Sequence, residues 1–287
     1  IVIGIYFPQY GKELSPIVPF LQGVLIFLST IKVDFGKYKN YKILIKPLSL
    51  GLLTSYFFIP ALFFLVGFYL LKLSVINLPL FVGIVITSVV PQAAGSTLVW
   101  SKELGGKLEI TLLLIITTIL LSPFITPSYI YLILRNQINF NVLLMFTEMA
   151  IIIFVPMLIS LMVKKKIPNL SPYTSFIVMG VIIYIAVSKS IERIDIVKGY
   201  LMISIFLSCI FIILTLLFLI IASNRLKLNE EEKQAIYIPS FFKNISIAII
   251  IVSFFSPEVV FFPVIYYITE QLFSPLYYEI KTMINQK

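Results

Sequence analysis

The segment TSVVPQAAGSTLVW, residues 87–100, lies in the middle of a longer apolar run. Pro91 removes a backbone hydrogen-bond donor and clashes with the preceding helical turn, and Gly95 makes the backbone more permissive. Ser96 and Thr97 follow with hydroxyl groups where backbone groups become free. In lipid, an interrupted helix persists only where protein or a water-filled cavity satisfies its polar groups. The segment therefore predicts a helix that breaks at a binding site.

The composition indicates a protein embedded in lipid. Hydrophobic residues make up 60% of the 287 residues, charged residues make up 12%, and the mean hydropathy is +1.05. Because soluble domains carry about 25% charged residues, we expect a multi-pass protein of the cell membrane. The absence of histidine from the sequence removes the commonest metal ligand and general base. Cys209 is the single cysteine, which excludes an internal disulfide.

Apolar windows of about 20 residues are long enough to cross the hydrocarbon core of a bilayer. The first ten residues are too short to span it, and we interpret them as the tail of a truncated first helix. With this remnant, the sequence predicts an all-α membrane protein of about ten transmembrane helices, joined by short loops. The complete windows are 16–31, 45–71, 76–100, 108–134, 140–163, 172–188, 197–223, 234–257 and 258–280.

Basic residues are distributed unevenly between alternate loops. Because Lys and Arg resist translocation, the richer set of loops is predicted to be cytoplasmic, together with both termini. This distribution also accounts for the net charge of +9 without a nucleic-acid partner. The richer set contains Lys32, Lys37, Lys39, Lys42, Lys102, Lys107, Lys164, Lys165, Lys166, Arg225, Lys227, Lys233, Lys281 and Lys287, and the poorer set contains Lys12, Lys72, Arg135, Lys189, Arg193 and Lys198.

The predicted helices divide into two halves, 1–137 and 138–287, with five helices in each. An odd number of helices per half gives the halves opposite orientations, which is the arrangement of inverted repeats. Such a repeat requires the second half to interrupt its own fourth helix, and that helix carries Pro239, Lys243 and Asn244 in mid-run. Two interrupted helices at corresponding positions are typical of a transporter binding site at the membrane midplane.

The run VVPQAAGSTLVWSKELGGK, residues 89–107, resembles the crossing-helix segment of the bile acid:sodium symporter family, which belongs to a superfamily of bile acid, arsenite and riboflavin transporters. Ser96 and Thr97 fall on the polar pair of that segment, and Gly105 falls on its glycine turn. The resemblance implies a four-helix panel and a six-helix core in which two broken helices cross, and transport of organic anions. Further resemblance, to the family's second, third and fifth helices, covers 18–31, 37–60 and 121–127.

The chain departs from the sodium-coupled members at the residues that hold sodium. In those members the second crossing helix looks like Glu-x-x-x-Gln-Asn, and the third helix carries a Gln. Here Asn244 is kept, but Pro239 and Lys243 stand at the Glu and Gln positions. Ser55 stands where the third-helix Gln would be. An ammonium group at a sodium position would supply positive charge permanently, so we expect transport that does not require sodium.

A residual sodium site at Ser96, Thr97 and Thr111 is an alternative. Neutral hydroxyls make a poor cage without a carboxylate, because hard cations prefer several oxygens and some negative charge. Lys243 could also exchange a proton in each cycle and thereby couple transport to the proton gradient. Gln92 stands where the related arsenite exporters keep a Cys, which weakens the resemblance to them.

Charged side chains inside the predicted spans are candidates for function. A charge at the bilayer centre costs at least about 2.5–3.5 kcal/mol, so such residues usually face the bundle interior and pair. Lys243 lies next to a break. Glu270, which Gln271 follows, either joins two helices or takes part in function. Glu148 lies nearer the predicted outer end, where it either reaches the headgroups or faces an outer vestibule.

We therefore expect a secondary active transporter of a small organic anion that works by alternating access. Helix N-termini at the breaks would attract a carboxylate, because they carry partial positive charge and free N–H groups. No cofactor or metal is expected beyond the alternative sodium site. The candidate substrate and ion site contains Ser55, Gln92, Ser96, Thr97, Thr111, Ser240, Lys243, Asn244, Glu270 and Gln271.

Other functions fit the sequence less well. A sodium-coupled organic anion symporter and a membrane receptor that senses a substrate without transport are the main alternatives. A channel would need a continuous polar lining, which such apolar spans do not supply. An enzyme would have to rely on a Ser–Lys or carboxylate pair, because the chain has no histidine.

The loop charges generate a topology prediction. In a Cys209→Ser background, Lys39→Cys and Lys165→Cys should react with a membrane-impermeant maleimide only from the cytoplasmic side. Arg193→Cys should react only from outside, because alternate loops face opposite sides. Labelling is compared in intact and permeabilised cells. Reaction at positions 39 and 193 from the same side would contradict the inverted arrangement.

Overall fold

The computed structural model describes residues 4, 6–31, 41–135, 138, 140–163, 172–190 and 199–285. In these residues the secondary structure is helical, apart from an isolated bridge between Gln92 and Lys243. Short 3₁₀ segments at Ser15–Ile17 and Pro257–Val260 precede longer helices. The helices are α1 (Pro8–Glu13), α2 (Val18–Thr30), α3 (Tyr41–Leu53), α4 (Ile59–Lys72), α5 (Leu78–Val89), α6 (Gly95–Glu103), α7 (Leu108–Leu134), α8 (Val142–Val163), α9 (Pro172–Ser190), α10 (Leu201–Arg225), α11 (Glu230–Phe241), α12 (Ile245–Val252) and α13 (Phe261–Asn285).

Many of these helices meet the requirements of a bilayer. Within the described ranges, 5 segments are long and apolar enough to cross a membrane. Shorter apolar segments at Ser15–Leu28, Leu78–Val89 and Ile177–Ser188 accompany them. The prediction of an all-helical, multi-pass membrane protein is confirmed, whereas ten helices in two inverted halves stay a prediction. The long segments are Leu44–Lys72, Leu108–Leu134, Val142–Val163, Leu201–Arg225 and Pro257–Met283.

The helices form two groups. In the first group, α2 packs along α8, and α9 packs against α1 and α2. In the second group, α4 packs with α5, α10 with α13, and α11 with α3 and α7. We call α1, α2, α8 and α9 the panel and the other helices the core. The panel meets the core where α7 contacts α8 and where α12 contacts α2 and α9.

Both interrupted helices that the sequence predicts are present. The first stops at the end of α5, at Val89, and resumes with α6 at Gly95. The second stops at the end of α11, at Phe241, and resumes with α12 at Ile245. The breaks are placed slightly differently from the prediction, because Gly95 is already the first helical residue of α6 and Pro239 lies inside α11.

Pro239 does not break its helix, because a hydroxyl group replaces the hydrogen bond that proline removes. A proline has no N–H to donate to the carbonyl four residues earlier. That carbonyl belongs to Ala235, and it accepts a hydrogen bond from the Thr111 hydroxyl at 3.1 Å. The Thr111 hydroxyl also pairs with the Ser101 hydroxyl at 2.7 Å. These bonds tie α11 to α6 and α7.

At the transition from α3 to α4, a side-chain hydroxyl group again replaces a hydrogen bond that a proline removes. A π-helical segment, Thr54–Phe58, joins the two helices. Pro60 leaves the Tyr56 carbonyl without its helical donor, and the Tyr129 hydroxyl donates to that carbonyl at 2.6 Å. The widened turn is therefore held against α7, and it places Ser55 at the interior of the core, where only 3% of the residue is exposed.

Loops from the set predicted to be cytoplasmic meet at one end of the molecule. The Lys107 N–H donates to the Glu231 carbonyl at 3.0 Å, and the Lys281 ammonium donates to the Leu104 carbonyl at 2.7 Å. These bonds join the loop after α6 to the start of α11 and to the end of α13. Other basic residues of the topology prediction lie outside the described residues, namely Lys32, Lys37, Lys39, Lys164, Lys165, Lys166, Arg193, Lys198 and Lys287.

The break after α5 generates a stability prediction. The Ala93 N–H is directed to Phe242, so the Val89 carbonyl lacks its helical donor and accepts from the Thr126 hydroxyl at 2.8 Å. Thr126→Val keeps the side-chain shape and removes this donor. It should lower the free energy of unfolding by about 1–3 kcal/mol, because a buried carbonyl is left unsatisfied. Unfolding is followed by circular dichroism in mixed micelles with increasing SDS.

Thr147→Val is the matched control for this variant. The exposed Thr147 hydroxyl donates to the Leu143 carbonyl of its own helix at 2.8 Å, so its removal should leave the free energy of unfolding nearly unchanged. Equal losses in the two variants would show that the Val89 carbonyl does not depend on Thr126.

Candidate functional site

The two breaks lie side by side in the core. The Ala93 N–H donates to the Phe242 carbonyl at 3.1 Å, and the Asn244 N–H donates to the Pro91 carbonyl at 2.9 Å. Each break therefore supplies hydrogen-bond partners that the other has lost. We call the paired segments, residues 91–93 and 242–244, the crossing.

Gln92 and Lys243 stand in the middle of the crossing and face each other in an antiparallel bridge. Their own N–H groups point away from the bridge in opposite directions. The Gln92 N–H donates to the Thr118 hydroxyl at 3.4 Å, and the Lys243 N–H donates to the Glu270 carboxylate at 3.0 Å. The bridged residues thus have the protein partners that buried backbone groups require.

The Lys243 ammonium lies inside the core, with 3% of the residue exposed. Its Nζ donates to the Ser88 carbonyl at 3.0 Å, in the last turn of α5. Carbonyls at a helix C-terminus carry partial negative charge. The fully buried Glu270 adds a carboxylate beside the Lys243 backbone. The positive charge is therefore compensated by groups of the protein itself.

A small cavity of about 10 Å³ adjoins Lys243. Its other lining residues include Thr87, Val90, Tyr266 and Tyr267. Roughly one water molecule fits such a volume. This cavity is therefore too small for a ligand larger than water.

Gln92 connects the crossing to the π-helical segment. Its side-chain Nε2 donates to the Ser55 hydroxyl at 2.8 Å, and that hydroxyl donates to the Gly51 carbonyl at 2.8 Å. Among the described residues, Gln92 Oε1 has no hydrogen-bond partner. Two residues of the predicted site, Ser55 and Gln92, thus contact each other, and one acceptor oxygen of Gln92 is buried without a partner among the described residues.

Ser96 and Gln271 connect α6 to α13, since Gln271 Nε2 donates to the Ser96 hydroxyl at 3.3 Å. Thr97 is fully buried, and within the part of the chain that the structure describes neither its hydroxyl nor Glu270 Oε1 has a hydrogen-bond partner. Buried polar atoms rarely lack a partner, and those that do call for an explanation. Ordered water or a ligand at the crossing would supply the missing partners.

Three residues of the predicted site serve the local backbone. The Asn244 side chain caps α12, because its oxygen accepts from an N–H of the first turn at 3.2 Å. The Ser240 hydroxyl donates to the carbonyl four residues earlier at 2.7 Å. The Thr111 hydroxyl is engaged by Ser101 and Ala235. Because it donates its proton to Ala235 and pairs with Ser101, the Thr111 hydroxyl oxygen keeps one lone pair for another ligand.

Two tyrosine hydroxyl groups outside the predicted site also bind main-chain carbonyls of the core. The Tyr266 hydroxyl donates to the carbonyl of Phe241, the last residue of α11, at 3.0 Å. The Tyr56 hydroxyl donates to the Thr118 carbonyl at 2.7 Å. A sequence signal exists only for carbonyls that a proline frees, such as those of Ala235 and Tyr56, because the proline shows that another donor is needed. The fold alone shows which hydroxyl reaches each carbonyl.

A larger cavity of about 300 Å³ lies between the panel and the core. Ile185 of α9 and Ile249 of α12 line it, together with residues of the 3₁₀ segment Pro257–Val260. Glu148 of α8 also lines it. The cavity lies toward the end of α12 that is remote from the crossing. Glu148 therefore faces a cavity, whereas its position in an outer vestibule stays a prediction.

Comparison with known proteins agrees with this architecture. The family described as Sodium Bile acid symporter family matches residues 19–200, more than half of the chain and including the first interrupted helix. An uncharacterized protein of Bacillus subtilis (strain 168), YbaS, is 22% identical over 307 residues, covering 100% of this chain and 97% of that protein. The chain therefore belongs to the sodium bile acid symporter family.

Proposed function

We propose that the protein is a secondary active transporter that moves a small organic anion by alternating access and does not use sodium. Membership of the family supports a membrane transporter of the bile acid symporter type. The observation that carries sodium independence is the Lys243 ammonium at the crossing, which donates to the Ser88 carbonyl at 3.0 Å.

Lys243 makes contacts of the kind that a bound cation would make. Hard cations in proteins are coordinated by carbonyl and carboxylate oxygens. The Lys243 ammonium contacts the Ser88 carbonyl, and the Glu270 carboxylate lies against the Lys243 N–H. A covalently attached charge needs no ion from solution. If the ammonium released its proton during the cycle, transport would instead be coupled to the proton gradient.

Anion binding would follow from the same geometry. Helices α6 and α12 both begin at the breaks, so their N-termini place partial positive charge beside the crossing. Together with Lys243, these N-termini would attract a carboxylate. Ser96 and Gln271, which are joined at 3.3 Å, would add neutral hydrogen-bonding groups. This scheme requires no metal ion and no other cofactor.

The two cavities support alternating access. The space beside Lys243 is about 10 Å³, whereas the cavity between the panel and the core is about 300 Å³. An organic substrate fits the second and not the first, so the panel would have to move relative to the core before the substrate reaches the crossing. The inverted halves predicted for 1–137 and 138–287 would permit an equivalent movement toward the other side of the membrane.

The proposal predicts transport without sodium. A thermal-shift screen of organic carboxylates supplies a ligand, and its labelled form is followed by counterflow in proteoliposomes, in sodium or choline salts at several pH values. The wild type should exchange the ligand at the same rate in both salts, because the charge of Lys243 is covalently attached. A ligand that stabilises the protein without being exchanged would favour a membrane receptor.

Two variants sharpen this test. Lys243→Gln should lower exchange by about tenfold or more, which corresponds to about 1.4 kcal/mol of lost binding energy. Lys243→Gln with Pro239→Glu restores the Glu and Gln that sodium-coupled members have in the second crossing helix, and exchange should then rise with sodium. Lys102→Gln, at an exposed position of α6, is the control for loss of a positive charge. Wild-type exchange that rises steeply with sodium would refute the proposal.

A further inference from the structure

Glu148 places a negative charge in the cavity between the panel and the core, which transport of a simple anion does not explain. Of the described residues that line this cavity of about 300 Å³, Glu148 alone is charged. Most of the wall is apolar and includes Val18, Ile185, Ile249 and Phe255. A purely anionic substrate would be repelled at this point of its path.

The carboxylate of Glu148 has no evident role in the fold. It lies six residues after the start of α8, Val142–Val163, which corresponds to about 9 Å along the helix. In the described part of the chain it takes part in no hydrogen bond or ion pair. Ionisable groups of this kind usually mark the path of a ligand.

A carboxylate therefore lies at the cavity, and an ammonium group lies at the crossing. Ile249 and Ile250 of α12 form part of the cavity wall, and this helix begins at Ile245, two residues after Lys243. Glu148 faces the cavity from the panel. With the panel movement of the proposed function, a molecule that passed between the cavity and the crossing would meet both a carboxylate and an ammonium group.

We infer that Glu148 binds the ammonium group of the transported molecule, which is therefore a zwitterion with an apolar frame. That the substrate carries a carboxylate rests on the proposed function, whereas its ammonium group is inferred from Glu148 and the cavity. A carboxylate attracts an ammonium group through charge-assisted hydrogen bonds. The apolar walls cover the frame, and the volume lies at the lower end of the range for small-molecule sites, about 300–1,000 Å³.

Three probes with one carbon frame test this assignment. They are 4-(aminomethyl)cyclohexanecarboxylate, a zwitterion; cyclohexylmethylammonium, a cation; and cyclohexanecarboxylate, an anion. Binding to the protein in nanodiscs is measured by isothermal titration calorimetry. The zwitterion should bind the wild type most tightly. Glu148→Gln should weaken binding of the zwitterion and the cation by about fivefold, and it should not weaken binding of the anion.

Further variants separate the ammonium site from folding and from the proposed function. Glu148→Asp keeps the charge and should retain most of the affinity for the ammonium probes. Glu109→Gln removes an exposed carboxylate of α7 and should change no affinity. Lys243→Gln should weaken the two probes that carry a carboxylate, and if it does not, the anion role of Lys243 fails while the ammonium site stands.

The inference is overturned if the two ammonium probes do not bind the wild type. It is also overturned if they bind Glu148→Gln as tightly as the wild type while that variant keeps the wild-type thermal stability. The inference is supported if Glu148→Gln binds the ammonium probes more weakly than the wild type while Glu148→Asp retains most of the affinity.

Discussion

Two main-chain hydrogen bonds between interrupted helices determine the centre of this molecule. They run from Ala93 to Phe242 and from Asn244 to Pro91, at 3.1 and 2.9 Å. An unpaired peptide group in lipid costs several kcal/mol, so neither break would persist without the other. Because the bonds are reciprocal, they also bring Gln92 and a buried lysine to the same point. The candidate site thus results from the hydrogen bonds that pair the two interrupted helices.

Elsewhere in the core, side-chain hydroxyl groups provide hydrogen bonds to main-chain carbonyls that lack a helical donor. Thr126, Tyr129 and Tyr266 donate to carbonyls that a break or a proline has freed, and Thr111 does the same for the carbonyl that Pro239 frees. The prolines therefore weaken individual helices and strengthen the contacts between them. Lys243 fits the same pattern, since its ammonium donates to a carbonyl in the last turn of α5 and brings a charge with the hydrogen bond.

Much of this arrangement could be predicted from the sequence, because hydropathy and proline act locally. The apolar windows gave helices close to those observed, and Pro91 correctly indicated the first break. The second break was assigned to Pro239, although that residue stays helical beside Thr111. Asn244 was expected to bind a ligand, and it caps α12. The role of Thr111 depends on a partner distant in the chain, and a main-chain carbonyl such as that of Ser88 cannot be identified as a partner from the sequence.

A cross-link between the two breaks tests the reciprocal pairing most directly. The hydrogen bonds that flank Gln92 and Lys243 make them a non-hydrogen-bonded antiparallel pair, with Cα atoms about 4.5 Å apart, within reach of a disulfide. In a Cys209→Ser background, Gln92→Cys with Lys243→Cys should form a disulfide under mild oxidation. The bond is read as protection of both thiols from alkylation in the unfolded protein, reversed by reductant. If both thiols stay alkylatable after oxidation, the breaks do not pair as described.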